Sequence, residues 1–213
     1  MADIDVLTRP SAVVEDIGSK RRQIFDGARR VFLDSGFDAA SMNEIARIAG
    51  VSKGTLYVYF DSKEALFEEL VRHDKREQVE QVCWLDESTD DLRSALVDLG
   101  CRLLRHMLEP DRIAQLRTVI AVSARFPQIG EAFYEAGAQY GRQKLADFLR
   151  GHGGAHGLTI DDCDRAAAHF GDLCKSHVLL RAILNVGEIP DDRAIALHVA
   201  ASVDTFMRAY RAY

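Results

Sequence analysis

Residues 41–70 read SMNEIARIAGVSKGTLYVYFDSKEALFEEL, and this stretch decides the fold. It opens on Ser41-x-x-Glu44, a capping box directly ahead of an apolar-periodic run. Met42, Ile45, Ala46 and Ala49 fall on one face of the short helix that follows. Gly50 closes that helix, since a residue without Cβ enters the left-handed region at little cost. Ser52 then caps a third helix over 53–60, with Val51, Leu56 and Phe60 turned inward. Asp61-x-x-Glu64 forms a second capping box and opens a longer fourth helix that buries Leu66, Phe67, Leu70 and Val71.

Upstream, Ile24, Ala28, Val31 and Phe32 stand at i, i+4, i+7 and i+8, one face of a helix that starts at Lys20 and stops near Ser35-Gly36. Two short helices across a tight glycine turn, with a supporting helix before them, make a helix-turn-helix. Residues 1–19 hold no sustained period and contain Arg9-Pro10-Ser11, so they read as a mobile arm. Downstream the pattern predicts long helices over 90–109, 112–125, 128–150, 161–185 and 191–212. The glycine-rich 151–157 and the 187–190 stretch break them. No strand pattern persists, so the expected fold is all-α. The expected organisation is an arm over 1–19, a helix-turn-helix head over 20–65 and a helical body over 66–213.

Composition agrees with a globular chain. Of 213 residues, 47% are hydrophobic and 28% charged, and only 4 are Pro. The net charge of −6 disfavours nucleic acid at first, but its distribution reverses that impression. Residues 20–63 carry eight Lys/Arg against five acids, and the remainder carries 19 against 28. A basic head on an acidic body is the asymmetry of a chain whose head meets phosphate. The N-terminus carries Asp3 and Asp5 where a signal peptide would carry cations, which points to the cytoplasm. Cys83, Cys101, Cys163 and Cys174 are widely spaced, with neither a disulfide framework nor a zinc pattern. His152, His156 and His169 make no tight ligand cluster, so neither metal nor cofactor is expected. No G-x-S-x-G, H-E-x-x-H or phosphate-cradling glycine loop occurs, which argues against an enzyme.

The order helix-GVSKGTLY-x-YF-x-SKE-x-LF closely resembles the DNA-binding domain of the TetR family of bacterial transcriptional regulators, over residues 20–71. Arg125–Gly137, RFPQIGEAFYEAG, is similar to ligand-domain helices of one TetR subgroup. The resemblance implies phosphate positions at Thr55, Tyr57 and Lys63, and base-edge positions at Lys53, Gly54 and Tyr59. It adds Asn43 on the second helix, and Arg21 and Arg22 toward backbone or an adjacent minor groove. Val58 stands where many relatives carry an aromatic residue and reads as a packing change. Phosphate contacts position a protein and only base contacts specify a sequence.

The same resemblance implies that the body dimerises through its last two helices and holds a small effector. The stripes Leu173, His177, Leu180, Leu184 and Ala196, Val199, Val203, Phe206, Tyr210 are the expected seam. A dimer would read a palindromic operator. The expected effector is apolar or aromatic. Candidate linings are Leu103, Met107, Val119, Val122, Phe126, Phe133 and Tyr134, with His106, Arg117, Gln139 and His177 as polar candidates. Repression, relieved when ligand moves the fourth helix, is the mode the family implies. A thiol-based redox sensor using one of the cysteines is the alternative.

Overall fold

The computed structural model describes residues 11–86 and 88–211, with side chains from residue 18 onward. Packing divides the chain into two units, Met1–Leu70 and Val71–Tyr213.

The first unit is built on α1 (Ser11–Ala39), α2 (Met42–Ala49), α3 (Lys53–Tyr59) and the start of α4 (Lys63–Val82). Residues 11–19, read from the sequence as arm, belong to α1. A helix once nucleated adds a hydrogen bond with each residue, and α1 runs through Gly18, a weak helix former, to the residue after Pro10. The remainder of the expected arm, 1–10, lies outside the described residues. Inside α1, Gly36 takes φ 74, which marks the kink after the periodic segment.

The turn of the helix-turn-helix follows its local chemistry. The Glu44 N–H donates to Ser41 Oγ at 3.2 Å, and Gly50 ends α2 in the left-handed region at φ 67. The Thr55 N–H donates to Ser52 Oγ at 3.0 Å. At α4 the cap is Ser62, not Asp61: the Ala65 N–H donates to Ser62 Oγ at 3.1 Å, and the Leu66 N–H to the Ser62 carbonyl. The box reading slipped by one residue because two adjacent residues can both cap and only backbone direction chooses between them.

Ile24, Ala28, Ile45, Leu56 and Leu66 are fully buried in this unit. Phe32 meets Phe67 edge-on at 4.6 Å between ring centres, and Phe25 meets Phe60 at 5.7 Å. α1 and α2 touch at Gly27, where a Cβ would stand 2.7 Å from the Ala49 nitrogen.

The second unit contains the rest of α4, then α5 (Leu92–Leu108), α6 (Pro110–Ser123), α7 (Pro127–Phe133), α8 (Tyr140–His152), α9 (Cys163–Ile183) and α10 (Asp192–Ala209). Asp91, Asp162 and Asp191 cap α5, α9 and α10, each accepting from a backbone N–H three residues on. The single helix expected over 128–150 is interrupted by a π-helical segment, Tyr134–Gln139. A π-turn widens the helix and shifts its phase, but no residue type marks it, so sequence spacing does not reveal it. Among the described residues there is no strand, and one isolated bridge pairs Leu158 with Arg211.

The core joins α5, α8, α9 and α10 around Leu96, Leu104, Leu149, Phe170, Val199 and Phe206. Val199, Val203 and Phe206, expected at a dimer seam, are wholly buried within the chain. The α9 stripe is also split, because Ser176 adopts φ 30 and breaks the helical phase. Leu173 packs against the core, whereas Leu180 and Leu184 are 58% and 63% exposed. No helix among the described residues is long and apolar enough to cross a membrane.

Candidate functional site

In the first unit α3 presents a graded surface. Leu56 and Phe60 are buried and Val51 is half-buried. Lys53, Gly54 and Tyr57 are exposed, with the Lys53 ammonium 5.9 Å from the Tyr57 ring centre. Val58 is 83% exposed, so its place in the sequence is not a packing change: it adds an apolar surface to α3. Thr55 Oγ1 pairs with Ser52 Oγ at 2.7 Å, and Tyr59 is half-buried with its ring 6.4 Å from Phe60. A Cβ on Gly54 would meet only Ser52 Oγ, at 3.8 Å, so packing within the chain does not demand glycine there. Asn43 on α2 and Arg22 on α1 are exposed.

Two of the expected DNA-contact residues also make contacts within the chain. The Lys63 ammonium donates to the carbonyls of Phe37, Asp38 and Ala40 at 2.7, 3.2 and 3.0 Å, and sits 4.6 Å from the Phe37 ring centre. All three of its donors are engaged in closing the end of α1. Arg21 forms an ion pair with Glu69, and its guanidinium lies 5.6 Å from both the Phe25 and Phe60 rings. Sequence spacing shows that these side chains are cationic. It does not show which carbonyls or carboxylates reach them first.

The second unit holds a cavity of about 330 Å³. Of the expected lining, Leu103, His106, Met107, Phe133 and Tyr134 are present. Arg117, Val119, Val122, Phe126, Gln139 and His177 are not among the lining residues. Val119 and Val122 are core, and Arg117 donates to the carbonyls of Ile183 and Ala182. Phe126 caps the start of α7 beneath the Arg125 guanidinium. His177 is exposed and meets the His198 ring edge-on at 5.6 Å.

The sequence reading missed the α4 wall: Lys75, Gln78, Val79, Val82 and the following Cys83. The signal was there, since Gln78 is a polar residue buried on a helix whose other face is charged. Gly137 and Ala138 of the π-turn add another wall, and Phe170, Gly171 and Lys175 of α9 close it. The body half of α4 is held from outside by polar contacts. Arg72 pairs with Glu135 at 2.9 Å, and Glu80 accepts from Lys144 at 2.7 Å and from the Tyr140 hydroxyl. Those two bonds hold the Glu80 carboxyl below its ordinary range.

The family models decide the identity. Residues 24–70 match the bacterial regulatory proteins of the tetR family, and residues 94–212 match the C-terminal domain of AefR-like transcriptional repressors. The chain belongs to the TetR family.

The structural relatives span the whole TetR fold. A putative TetR-family transcriptional regulator from Mesorhizobium loti superposes with a TM-score of 0.84 at 28% identity, covering 92% of this chain and 98% of that one. The flavonoid-responsive regulator FrrA superposes with a TM-score of 0.79 at 33% identity, covering 91% and 98%. Among curated proteins, the transcriptional repressor Rv1474c of Mycobacterium tuberculosis is 38% identical over 65 residues, 30% of this chain and 35% of its own length. The repressor AcnR of Corynebacterium diphtheriae is 33% identical over 108 residues, 51% of this chain and 50% of its own. The matched stretch thus spans a third to a half of these curated relatives.

This TetR-family chain carries its helix-turn-helix DNA-binding domain in the first unit and a helical C-terminal domain in the second. Three of the four body cysteines do not favour thiol chemistry. Burial pushes the Cys101 and Cys83 thiols up and takes Cys174 to about 12, so the reactive thiolate is scarce at neutral pH. Among the described residues no three His, Cys, Asp or Glu side chains gather to hold a metal ion.

Proposed function

We propose that this TetR-family regulator is a repressor, binding a palindromic operator as a homodimer and leaving it when a flat aromatic molecule enters the cavity. One observation carries the reading: α4 begins at Lys63 in the first unit, and its stretch 75–82 forms a wall of the cavity in the second. A ligand touching that wall acts on the helix that continues into the DNA-binding head. A ligand shifts an equilibrium only through its differential affinity for the two states. A coupling of about 1–3 kcal/mol changes operator affinity by roughly 5- to 150-fold.

On DNA, the exposed side chains of α3 and α2 supply the contacts. Tyr57 and Thr55 serve phosphate; Lys53, Gly54 and Tyr59 lie toward base edges; Asn43 and Arg22 flank them. Lys63 and Arg21 act indirectly, by setting the ends of α1 and α4. The exposed Val58 is available to a thymine methyl group. Dimerisation uses Leu180, Leu184 and Leu197, which present 58%, 63% and 65% exposed apolar surface on α9 and α10. The names of Rv1474c and AcnR support repression, and FrrA, responsive to flavonoids, supports a planar aromatic effector.

Selection from random duplexes tests the reading, with Tyr57→Phe beside the native protein at two salt concentrations. The expected result is an enriched palindrome, bound less tightly by the variant and at high salt. A flavone added to the complex should then release the selected duplex. A folded dimer that enriches no sequence sinks the repressor reading. An enriched palindrome released by no planar aromatic sinks the effector reading alone.

A further inference from the structure

The cavity has an apolar barrel and one polar pole. Val82, Leu99, Leu103, Met107, Phe133 and Leu145 are among its apolar lining. Its lining charges differ in their partners. Asp172 and Lys175 neutralise one another at 3.0 Å. Arg142 donates to the Tyr134 hydroxyl at 3.3 Å. Lys75 is different: its ammonium donates to Gln78 Oε1 at 2.8 Å and lies 4.5 Å from the Phe133 ring centre. Among the described residues no carboxylate comes within ion-pair distance of it. Asp74 offsets part of the cost from a distance, but a lysine held in an apolar enclosure without a direct ion pair remains costly unless something else supplies an acceptor. The same enclosure pulls its proton affinity down to about 8, mainly by desolvation, so it still carries the charge at pH 7.

His106, on α5, also lines the cavity and is near enough to Lys75 to feel its charge. Its Nδ1 stands 3.4 Å from Glu109 Oε1, and its Nε2 is buried with no hydrogen-bond partner. Burial, then the Arg112 charge, lowers its proton affinity, so the ring is neutral at pH 7. A neutral ring facing a carboxylate through Nδ1 places its proton there, which leaves Nε2 as an acceptor. The pole therefore offers one strong donor, Lys75 Nζ, and one buried acceptor, His106 Nε2. A hydroxyl satisfies both at once, accepting from the ammonium and donating to the imidazole. An ether oxygen can only accept, and a carboxylate has no proton to give.

We propose that the cavity selects a planar aromatic molecule carrying a phenolic hydroxyl, seated with that hydroxyl between Lys75 and His106 and its ring against Phe133. This rests on the reading of the cavity as the effector site and narrows the effector's chemistry.

Calorimetric titration of the full chain with three probes tests it: 7-hydroxyflavone, 7-methoxyflavone and unsubstituted flavone. The hydroxyl compound is expected to bind about tenfold or more tightly than either of the others, the scale of a charge-assisted hydrogen bond. The unsubstituted flavone separates lost hydrogen bonding from added bulk. In Lys75→Met and His106→Leu the preference should fall to within about twofold while flavone itself still binds. Equal binding of all three probes overturns the hydroxyl pole and leaves the effector site standing. Binding of none overturns both. A preference that survives in both variants places the hydroxyl elsewhere and refutes the assignment.

Discussion

Burial of Lys75 carries an electrostatic cost, and removing the charge should stabilise the fold. Burial beside Gln78 and the Phe133 ring, with Arg112 adding like charge and Asp74 opposing it, lowers this lysine from 10.5 to about 8. That gap corresponds to about 3 kcal/mol, at about 1.4 kcal/mol per pH unit. The sign follows from proton counting. Below about pH 8 both folded and unfolded chains hold the proton, and the folded state bears the full cost. Between about 8 and 10.5 the unfolded chain holds more protons than the folded one, so stability rises with pH. Well above 10.5 neither holds it and the cost is gone. Lys75→Met keeps the length of the side chain and removes the charge. It should be more stable than the native chain by up to about 3 kcal/mol at pH 7, and the difference should fall to about 0.4 kcal/mol by pH 10.5. Urea unfolding of both proteins, at one protein concentration and at steps between pH 7 and 10.5, reads this directly. Taking the difference between the two cancels every other group that titrates in the window. Parallel stability curves for the two proteins across that range would refute the reasoning.

Three further outcomes check the rest of the structure. Gly27→Ala drives a Cβ to 2.7 Å from the Ala49 backbone nitrogen and should cost the head about 1–3 kcal/mol by hydrogen exchange; Ala49→Gly should not rescue it, because that nitrogen stays in place. Lys63→Ala leaves the Phe37, Asp38 and Ala40 carbonyls without their donor and should lower head protection by about 1–3 kcal/mol, whereas a pure phosphate contact would leave protection unchanged and weaken only DNA binding. Leu184→Glu combined with Leu197→Glu places charge on exposed α9 and α10 surface, so sedimentation should show a monomer with native helix content; a persisting dimer would move the seam elsewhere.

What the sequence determined by itself was local. Ser41, Gly50 and Ser52 act within a turn of their own position, through backbone groups that lie three residues away, so the helix-turn-helix and the family it belongs to were legible before any packing was known. The all-α body was legible too, because periodicity reports a buried face wherever the partner lies. Tertiary structure decided which partner. Val199 and Phe206 show the same spacing whether they face their own core or a second chain, and only packing placed them inside. The π-turn at Tyr134–Gln139 and the break at Ser176 shift the phase of a helix without a sequence mark, and with it the set of residues that reach the cavity. Lys63 and Lys75 stand twelve residues apart on α4 with the same side chain. One closes the end of α1 on three carbonyls; the other is buried in a cavity wall with no carboxylate within ion-pair distance among the described residues. That difference comes from neighbours distant in sequence, and sequence spacing does not carry it.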